Sequence, residues 1–379
     1  MKKNILLLLI SFPFILQIRF DSPSQQDTSQ TPDSIVTITI AAAGDLMCHS
    51  VQYQYAMVNP DSFDFNPVYR EVKDYLSQPD FTFGNLETVM AGKSKGYSGY
   101  PFFNTPDDFI PALKNAGFDL LTTSNNHSLD QGEFGLRRTL EVLNKYNINY
   151  NGTFVSKEDR DSLRIFNIKG IKIAFLAYTY GTNGVPIPKG KTYLINLIDE
   201  NQITADINSA RKAGAELVLV HFHFGEEYKR EPVASQKKVV NAAVLAGADI
   251  IIGGHPHVIQ PAEFFASNNS KLDSVFAAYS LGNFISNQRW RYSDAGVILN
   301  LSISKNFNSD SIYISDVSFL PTWVFKGNTK NGREYIILPY KENIDYEFLT
   351  SQDKLNMMQA FEDTKEIMRK YSTRIRLFN

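Results

Sequence analysis

One cysteine, Cys48, in 379 residues leaves no partner for an intrachain disulfide and no thiolate set for a structural zinc site. Basic charge is not in excess either. Lys+Arg number 38 against 40 Asp+Glu, a formal net charge of −2. The basic footprint that phosphate-backbone binding leaves is missing, so no nucleic-acid partner is expected. Long apolar runs are scarce: Ile5 to Leu16 is broken by Pro13 and falls short of the roughly 20 residues of a membrane span. Histidine is confined, with six in the chain and none beyond His257. What remains is a globular composition, 43% hydrophobic and 21% charged, in a chain long enough to bury a large core.

Lys2 and Lys3 ahead of the Ile5–Leu16 run give the charge-then-hydrophobe order of a secretory signal. Residues 1–20 are therefore expected to act as a signal peptide or as an uncleaved membrane anchor. No A-x-A-like site follows to choose between them. No cysteine follows closely either, which removes the lipoprotein route. Residues 21–34, rich in Ser, Gln, Asp and Pro, read as a flexible linker reaching roughly 20 Å as a random coil. The expected location is the cell envelope, on the outer side of the cytoplasmic membrane.

From Ile35 onward apolar strands alternate with helices, and the strands end in chemically useful residues. Ile35 to Ala43 leads to Gly44-Asp45, Asp80 to Phe83 to Gly84-Asn85-Leu86-Glu87, and Leu120 to Thr123 to Ser124-Asn125-Asn126-His127. Leu217 to Val220 leads to His221-Phe222-His223-Phe224-Gly225-Glu226-Glu227-Tyr228. Helices are predicted over 67–76, 106–116 with Thr105 as N-cap, 133–146, 201–213 and 233–246. Alternation of this kind argues an α/β architecture, in which ligands bind beyond the carboxyl ends of the strands. Gly117, Gly214 and Gly247 each suit the left-handed residue that stops a helix before the next strand.

The fifth strand end is the sharpest, Asp249-Ile-Ile-Ile-Gly-Gly-His-Pro-His-Val-Ile-Gln260. Pro256 should bias His255 to extended backbone, and residues two apart in extended chain aim the same way, so His255 and His257 are predicted to converge. All six histidines, His49, His127, His221, His223, His255 and His257, lie in or just beyond these strand ends. With Asp45, Glu87 and Asn126 they supply imidazole, carboxylate and amide donors without thiolate. That set suits a hydrolytic centre of two divalent ions, manganese, zinc or iron, spaced roughly 3.5 to 4 Å apart.

In order along the chain, G-D at Asp45, G-N-L-E at Asn85 and Glu87, N-N-H at His127, H-F-G-E-E-Y from His223, G-H-P-H-V-I-Q from Gly254 and Y-S-L-G-N-F from Tyr279 resemble the CapA-type poly-γ-glutamate capsule biosynthesis proteins. The resemblance runs from about Ile35 to about Trp323. It implies the calcineurin-like metallophosphatase fold, an α/β arrangement of two packed β-sheets flanked by helices. It also implies metal ligands: Asp45 and His257 for one ion, Asn126, His223 and His255 for the other, with Glu87 able to bridge. His127 would be the general acid. Two positions depart from the broader metallophosphoesterase pattern, Met47 where a histidine stands and Asn85 where the bridging aspartate stands. His49 would substitute only if the chain turned helically after Asp45; the alternative is a surface residue.

Glu227 and Tyr228, with Glu226 beside them, are candidates for substrate contact, as is the amide of Asn283 in a segment that closes the pocket. After Phe284 the chemistry thins: 296–304 and 311–324 read as an antiparallel pair, 334–338 as a further strand, and 351–371 as a helix with Leu355, Met358, Phe361 and Ile367 on its apolar stripe. Residues 35–325 are expected as the main domain, with 326–379 as a strand and helix packed on it. The resemblance implies action on an extracellular anionic polymer, poly-γ-glutamate or a relative, by metal-dependent hydrolysis of a phosphoester or γ-amide bond. Two alternatives share the ligand set: a secreted phosphoesterase on nucleotide, lipid-linked or sugar phosphates, and a non-catalytic subunit of a membrane synthase complex.

Overall fold

Two β-sheets face each other across an apolar layer, and the strand ends along one rim of that layer carry the chemistry. The computed structural model describes residues 35–266, 269–342 and 345–378; the expected signal or anchor and the linker lie outside the described residues. The strands are β1 (Ile35–Leu46), β2 (Met57–Asn59), β3 (Ser62–Phe63), β4 (Phe81–Leu86), β5 (Leu120–Thr122), β6 (Asn149–Asn151), β7 (Arg164–Ile168), β8 (Ile171–Thr179) and β9 (Leu217–His223). They continue with β10 (Ile250–Gly254), β11 (Ala262–Ala266), β12 (Ser274–Ala278), β13 (Asn283–Ile285), β14 (Ala295–Asn306), β15 (Ser311–Thr329), β16 (Gly332–Pro339) and β17 (Arg376–Leu377).

The first sheet runs β16-β15-β14-β1-β4-β5-β6, with β13 beside β1 and β17 beside β15. The second runs β11-β12-β10-β9-β8-β7, and β2 and β3 form a small ribbon. Period-2 alternation sorts the side chains. Ile38, Ile40 and Ala42 of β1 join Leu217 and Leu219 of β9 and Ile250 and Ile252 of β10 in the layer between the sheets. Their alternate neighbours face outward. Ala41 and Ala43 meet helices Phe109–Ala116 and Gly132–Lys145, while Val218, Val220 and Ile251 meet helices Glu200–Lys212 and Ala234–Ala246. The expected two packed sheets flanked by helices are what the chain forms.

Helix ends follow the expected grammar at Gly117 and Gly247, both left-handed C-caps, and Gly214 also has positive φ. Other local expectations are corrected. The segment 67–76 forms two short helices, Asn66–Tyr69 and Lys73–Ser77. Asp108 rather than Thr105 starts the next helix, because Thr105 Oγ1 is held by Thr88 Oγ1 at 2.6 Å. The antiparallel pairing of β14 with β15 is as predicted. In helix Ser351–Met368, however, Leu355 and Met358 are exposed, and Met357, Ala360, Phe361 and Ile367 face the inter-sheet core. Phe361 and Ile367 lie on the buried face as predicted, while Met357 and Ala360 take the places expected of Leu355 and Met358. β15 runs through residue 325, and β16 extends the same sheet.

Candidate metal centre

A β-bulge sets the first ligand. Ala42 pairs with Phe83 but Asp45 pairs with Asn85, so β1 spends three residues where β4 spends two. Strict alternation from Ala42 would turn Asp45 outward; the extra residue turns it back toward the second sheet. Close backbone contact accompanies the bulge: a Cβ on Gly44 would lie 1.9 Å from the Gly282 carbonyl oxygen, which accepts Asp45 N–H at 2.9 Å. Gly254 completes the approach from the facing sheet, where a Cβ would lie 2.6 Å from Asp45 Oδ1. In β9, His221 and His223 share the inward parity of Leu217 and Leu219, as alternation predicts.

Asp45, Glu87, Asn126, His223, His255 and His257 are all buried at this rim. Asp45, Glu87 and His257 each offer a ligand atom within 4.8 Å of the others, as do Glu87, His223 and His255. Glu87 belongs to both groups. Its two carboxylate oxygens are buried without a hydrogen-bond donor, with His223 Nε2 at 3.5 Å and His257 Nε2 at 3.8 Å from Oε1. Nδ1 of His255 and of His221 are likewise buried without partners. A closed pocket of unsatisfied oxygens and imidazole nitrogens is costly unless something with positive charge fills it, and this donor set fits divalent ions.

The histidine pair converges by a different route from the one predicted. His255 has φ 97 and His257 φ 58, so the chain passes through two left-handed residues around Pro256 and not through extended backbone. Their ring centroids are 5.9 Å apart, and with Glu227 they form a third group within 4.8 Å. His255 N–H donates to Asp45 Oδ2 at 3.2 Å, tying the turn to the first sheet.

Electrostatics divide the groups. Burial alone would raise the Asp45 carboxyl, but the bond from His257, the charges of His223 and His257 and the Asn85 amide hold it well below the usual range. Glu87, lacking donors, is pushed up to about 8 by burial and by Asp45. Burial and neighbouring imidazoles push His221 and His223 down to about 3 and His255 to about 2, keeping them neutral, the form that ligates metal. His257 goes the other way: burial opposes its charge, yet Glu87 and Asp45 raise it to about 9.

Around this core, Asn85 is a hub. Its Nδ2 donates to Asp45 Oδ1 at 2.8 Å and lies 3.1 Å from His223 Nδ1, while its Oδ1 accepts from Asn125 Nδ2 at 3.2 Å. Of the two adjacent asparagines, Asn126 reaches the imidazole, with Oδ1 2.8 Å from His223 Nε2, whereas Asn125 braces the loop through Leu86 O and His127 N–H. His127 is buried beside them, edge-on to Phe103, and its Nδ1 lies 2.8 Å from Asp130 Oδ2. Asp130 is a site residue that sequence reasoning missed. Its position three residues after His127 in N-N-H-S-L-D, the spacing of a turn contact, was the available signal.

His49 takes neither expected place. Residues 47–49 form no helix; His49 is the N-cap of helix Ser50–Ala56, bonded to Gln52 and packed on Phe103, so burial pushes it down to about 4. Glu227 is exposed at the rim, and Tyr228 beside it stands over His257 at 6.1 Å. Tyr180, not anticipated, faces His255 at 4.6 Å. Asn283 is buried, with Oδ1 3.1 Å from His257 Nδ1 and Nδ2 donating to Gln288 Oε1 and Ser293 O, so that it orients the ring of His257.

The sequence model of the family described as bacterial capsule synthesis protein PGA_cap matches residues 39–288. The capsule biosynthesis protein CapA of Bacillus anthracis is 30% identical over 270 residues, 69% of this chain and 63% of that protein's length. The PGA biosynthesis protein CapA of Bacillus subtilis (strain 168) is 26% identical over 302 residues, 78% of this chain and 76% of the relative. Among solved structures, Haemophilus influenzae NAD nucleotidase is similar with TM-score 0.46 at 14% identity, covering 91% of this chain and 57% of that one. The calcineurin-like phosphoesterase YfkN of Bacillus subtilis has TM-score 0.43 at 14% identity, covering 88% and 98%.

Proposed function

The chain belongs to the bacterial capsule synthesis protein family, and from that premise we propose that it is an exported, metal-dependent hydrolase acting in the making, release or anchoring of an extracellular anionic polymer of the poly-γ-glutamate class. The observation that carries the hydrolase reading is Glu87, a buried carboxylate without a donor, shared between two groups of ligand atoms. In this reading Asp45 and His257 would hold one divalent ion and Asn126, His223 and His255 the other, with Glu87 within reach of both groups. Such ions polarise the scissile group and make water a nucleophile near neutral pH. Lys2, Lys3 and the apolar run after them support export.

The remaining work falls to the chain's own side chains. Asp130 accepts the Nδ1 proton of His127, which leaves Nε2 as the position that gives or takes a proton, and His127 is the group we assign to protonate the leaving atom. Asn283 fixes the ring of His257 through Nδ1. Glu227 and Tyr228, at the rim over His255 and His257, are placed to meet the substrate as it enters.

The test is metal content and turnover together. Protein reconstituted with manganese, zinc or iron should retain metal after desalting, and His255→Ala with His257→Ala should abolish it. Reconstituted protein should shorten poly-γ-glutamate chains or hydrolyse bis(4-nitrophenyl) phosphate, and lose that activity on chelation. Retained metal with neither activity would overturn the enzyme reading in favour of a binding subunit.

A further inference from the structure

The segment after β13, Ser286 to Trp290, has two sides. On one it walls the metal pocket: Gln288 accepts from Asn283 Nδ2 at 3.0 Å and donates to the Tyr228 hydroxyl at 3.2 Å, and Trp290 stands edge-on to Tyr228 at 5.2 Å. On the other it meets a group of cations. Asn287 Oδ1 accepts from Lys326 Nζ at 3.1 Å and from the Tyr335 hydroxyl at 2.5 Å. Lys326 and Arg333 both lie over the ring of Tyr55, at 5.8 and 5.1 Å, and Tyr55 packs edge-on against Tyr335 at 5.1 Å. The β15–β16 register brings them there by pairing Lys326 with Tyr335 and Asn328 with Arg333.

These cations have no anionic partner. Arg70, Arg138, Arg160, Arg211 and Arg291 each meet a carboxylate. Among the described residues Arg289, Lys326 and Arg333 form no ion pair, and Arg289 Nη1 is buried with no hydrogen-bond acceptor. Asp294 and Asp353 act on Arg289 only at a distance, neither forming an ion pair with it, and Asp294 Oδ2 accepts from Trp323 Nε1 at 2.8 Å. Burial and the Arg289 charge lower the Lys326 ammonium, as expected where positive charge accumulates uncompensated. A small cavity of about 40 Å³ beside the group is lined in part by Tyr55, Arg333 and Tyr335, together with Asp64 and Glu334, of which Glu334 is paired with Arg70. Stacking on rings accounts for the packing of these side chains but not for their charge.

We propose that Arg289, Lys326 and Arg333 form an anion subsite one loop away from the metal pocket, which holds carboxylates of a linear polyanion while another part of the same chain lies at the metals. This deepens the function proposed above and rests on it for the identity of the polymer. A single small anion would need one such cation. A strip of them reached from the pocket along one loop suits a ligand with repeated charges.

The test measures binding of purified poly-γ-glutamate to the full-length protein, with dextran as the neutral control, beside turnover of bis(4-nitrophenyl) phosphate, which needs the metals alone. Lys326→Glu with Arg333→Glu should weaken polymer binding by roughly tenfold or more, as loss of charge-assisted contacts implies, and leave the small-ester turnover and melting temperature unchanged. Lys326→Gln with Arg333→Gln, milder toward folding, should give an intermediate loss. Polymer binding unchanged in both variants, or dextran bound as well as the polymer, would overturn the subsite. Polymer binding through these cations in a protein with no metal-dependent turnover would support the subsite and refute the hydrolase reading alone.

Discussion

His127 and Asp130 carry the clearest division of labour at the level of single residues. An imidazole held at Nδ1 by a carboxylate keeps one orientation and one exchangeable nitrogen. His127→Asn should therefore retain metal and fold and lose turnover by about 10²- to 10⁴-fold, read from initial rates beside metal content. Asp130→Asn should cost less, because it keeps an acceptor for Nδ1 while removing the charge. Equal losses in metal content would show instead that both residues support the ligands. Cys48 gives a second residue-level expectation. It is buried, and burial pushes its thiol up to about 12. The native protein should then resist alkylation at pH 8, with one thiol titrating only after denaturation. Because the folded value lies above the unfolded one, this group contributes stability that is complete below pH 8 and is lost as pH rises toward 12.

At the level of elements the β1 bulge decides whether the centre exists. Without its extra residue, Asp45 would point to the outer helices, away from His257 and Asn85. Gly44 permits the close passage of the Gly282 carbonyl that accompanies the bulge. Gly44→Ala should lower stability by about 1–3 kcal/mol, the usual cost of forcing atoms into a packed interior, read from denaturant unfolding. Metal retention should fall with it. If Gly44→Ala kept both stability and metal, the bulge would be incidental to the site. The left-handed turn at His255 and His257 works on the same scale, aiming two rings that an extended strand would carry differently.

Across the whole molecule, the candidate ligands come from both sheets: Asp45, Glu87 and Asn126 from the first, His223, His255 and His257 from the second and the turn after it. Ions bound there would bridge the two halves of the sandwich. Melting temperature should consequently rise on metal addition and fall on chelation, with a stabilisation of about 2.7 kcal/mol when free metal is 100 times its dissociation constant. The variant lacking His255 and His257 should show no such rise in a calorimetric scan. No helix among the described residues is long and apolar enough to cross a membrane.

Local chemistry made much of this legible in the residues themselves. Apolar runs ending in Asp45, Glu87, Asn126, His223 and His255 announced strand ends bearing donors, because a buried strand needs continuous apolar sequence and polar residues must leave it at the rim. The parity that turns His221 and His223 inward follows from a period of two. What the sequence could not supply was anything depending on a second segment. The bulge that reorients Asp45 is a mismatch between β1 and β4, and neither strand encodes it alone. The left-handed turn at His255 defeats the extended bias of a residue before proline, while the backbone bond to Asp45 on the other sheet ties that turn in place. The Asn283 amide meets His257, Gln288 and Ser293 from separate segments, and the unpaired cations beside Tyr335 meet only when β15 and β16 pair. Residue type is set by the chain one position at a time, whereas the partner that satisfies, charges or strains a residue arrives from distant sequence and is fixed only by packing.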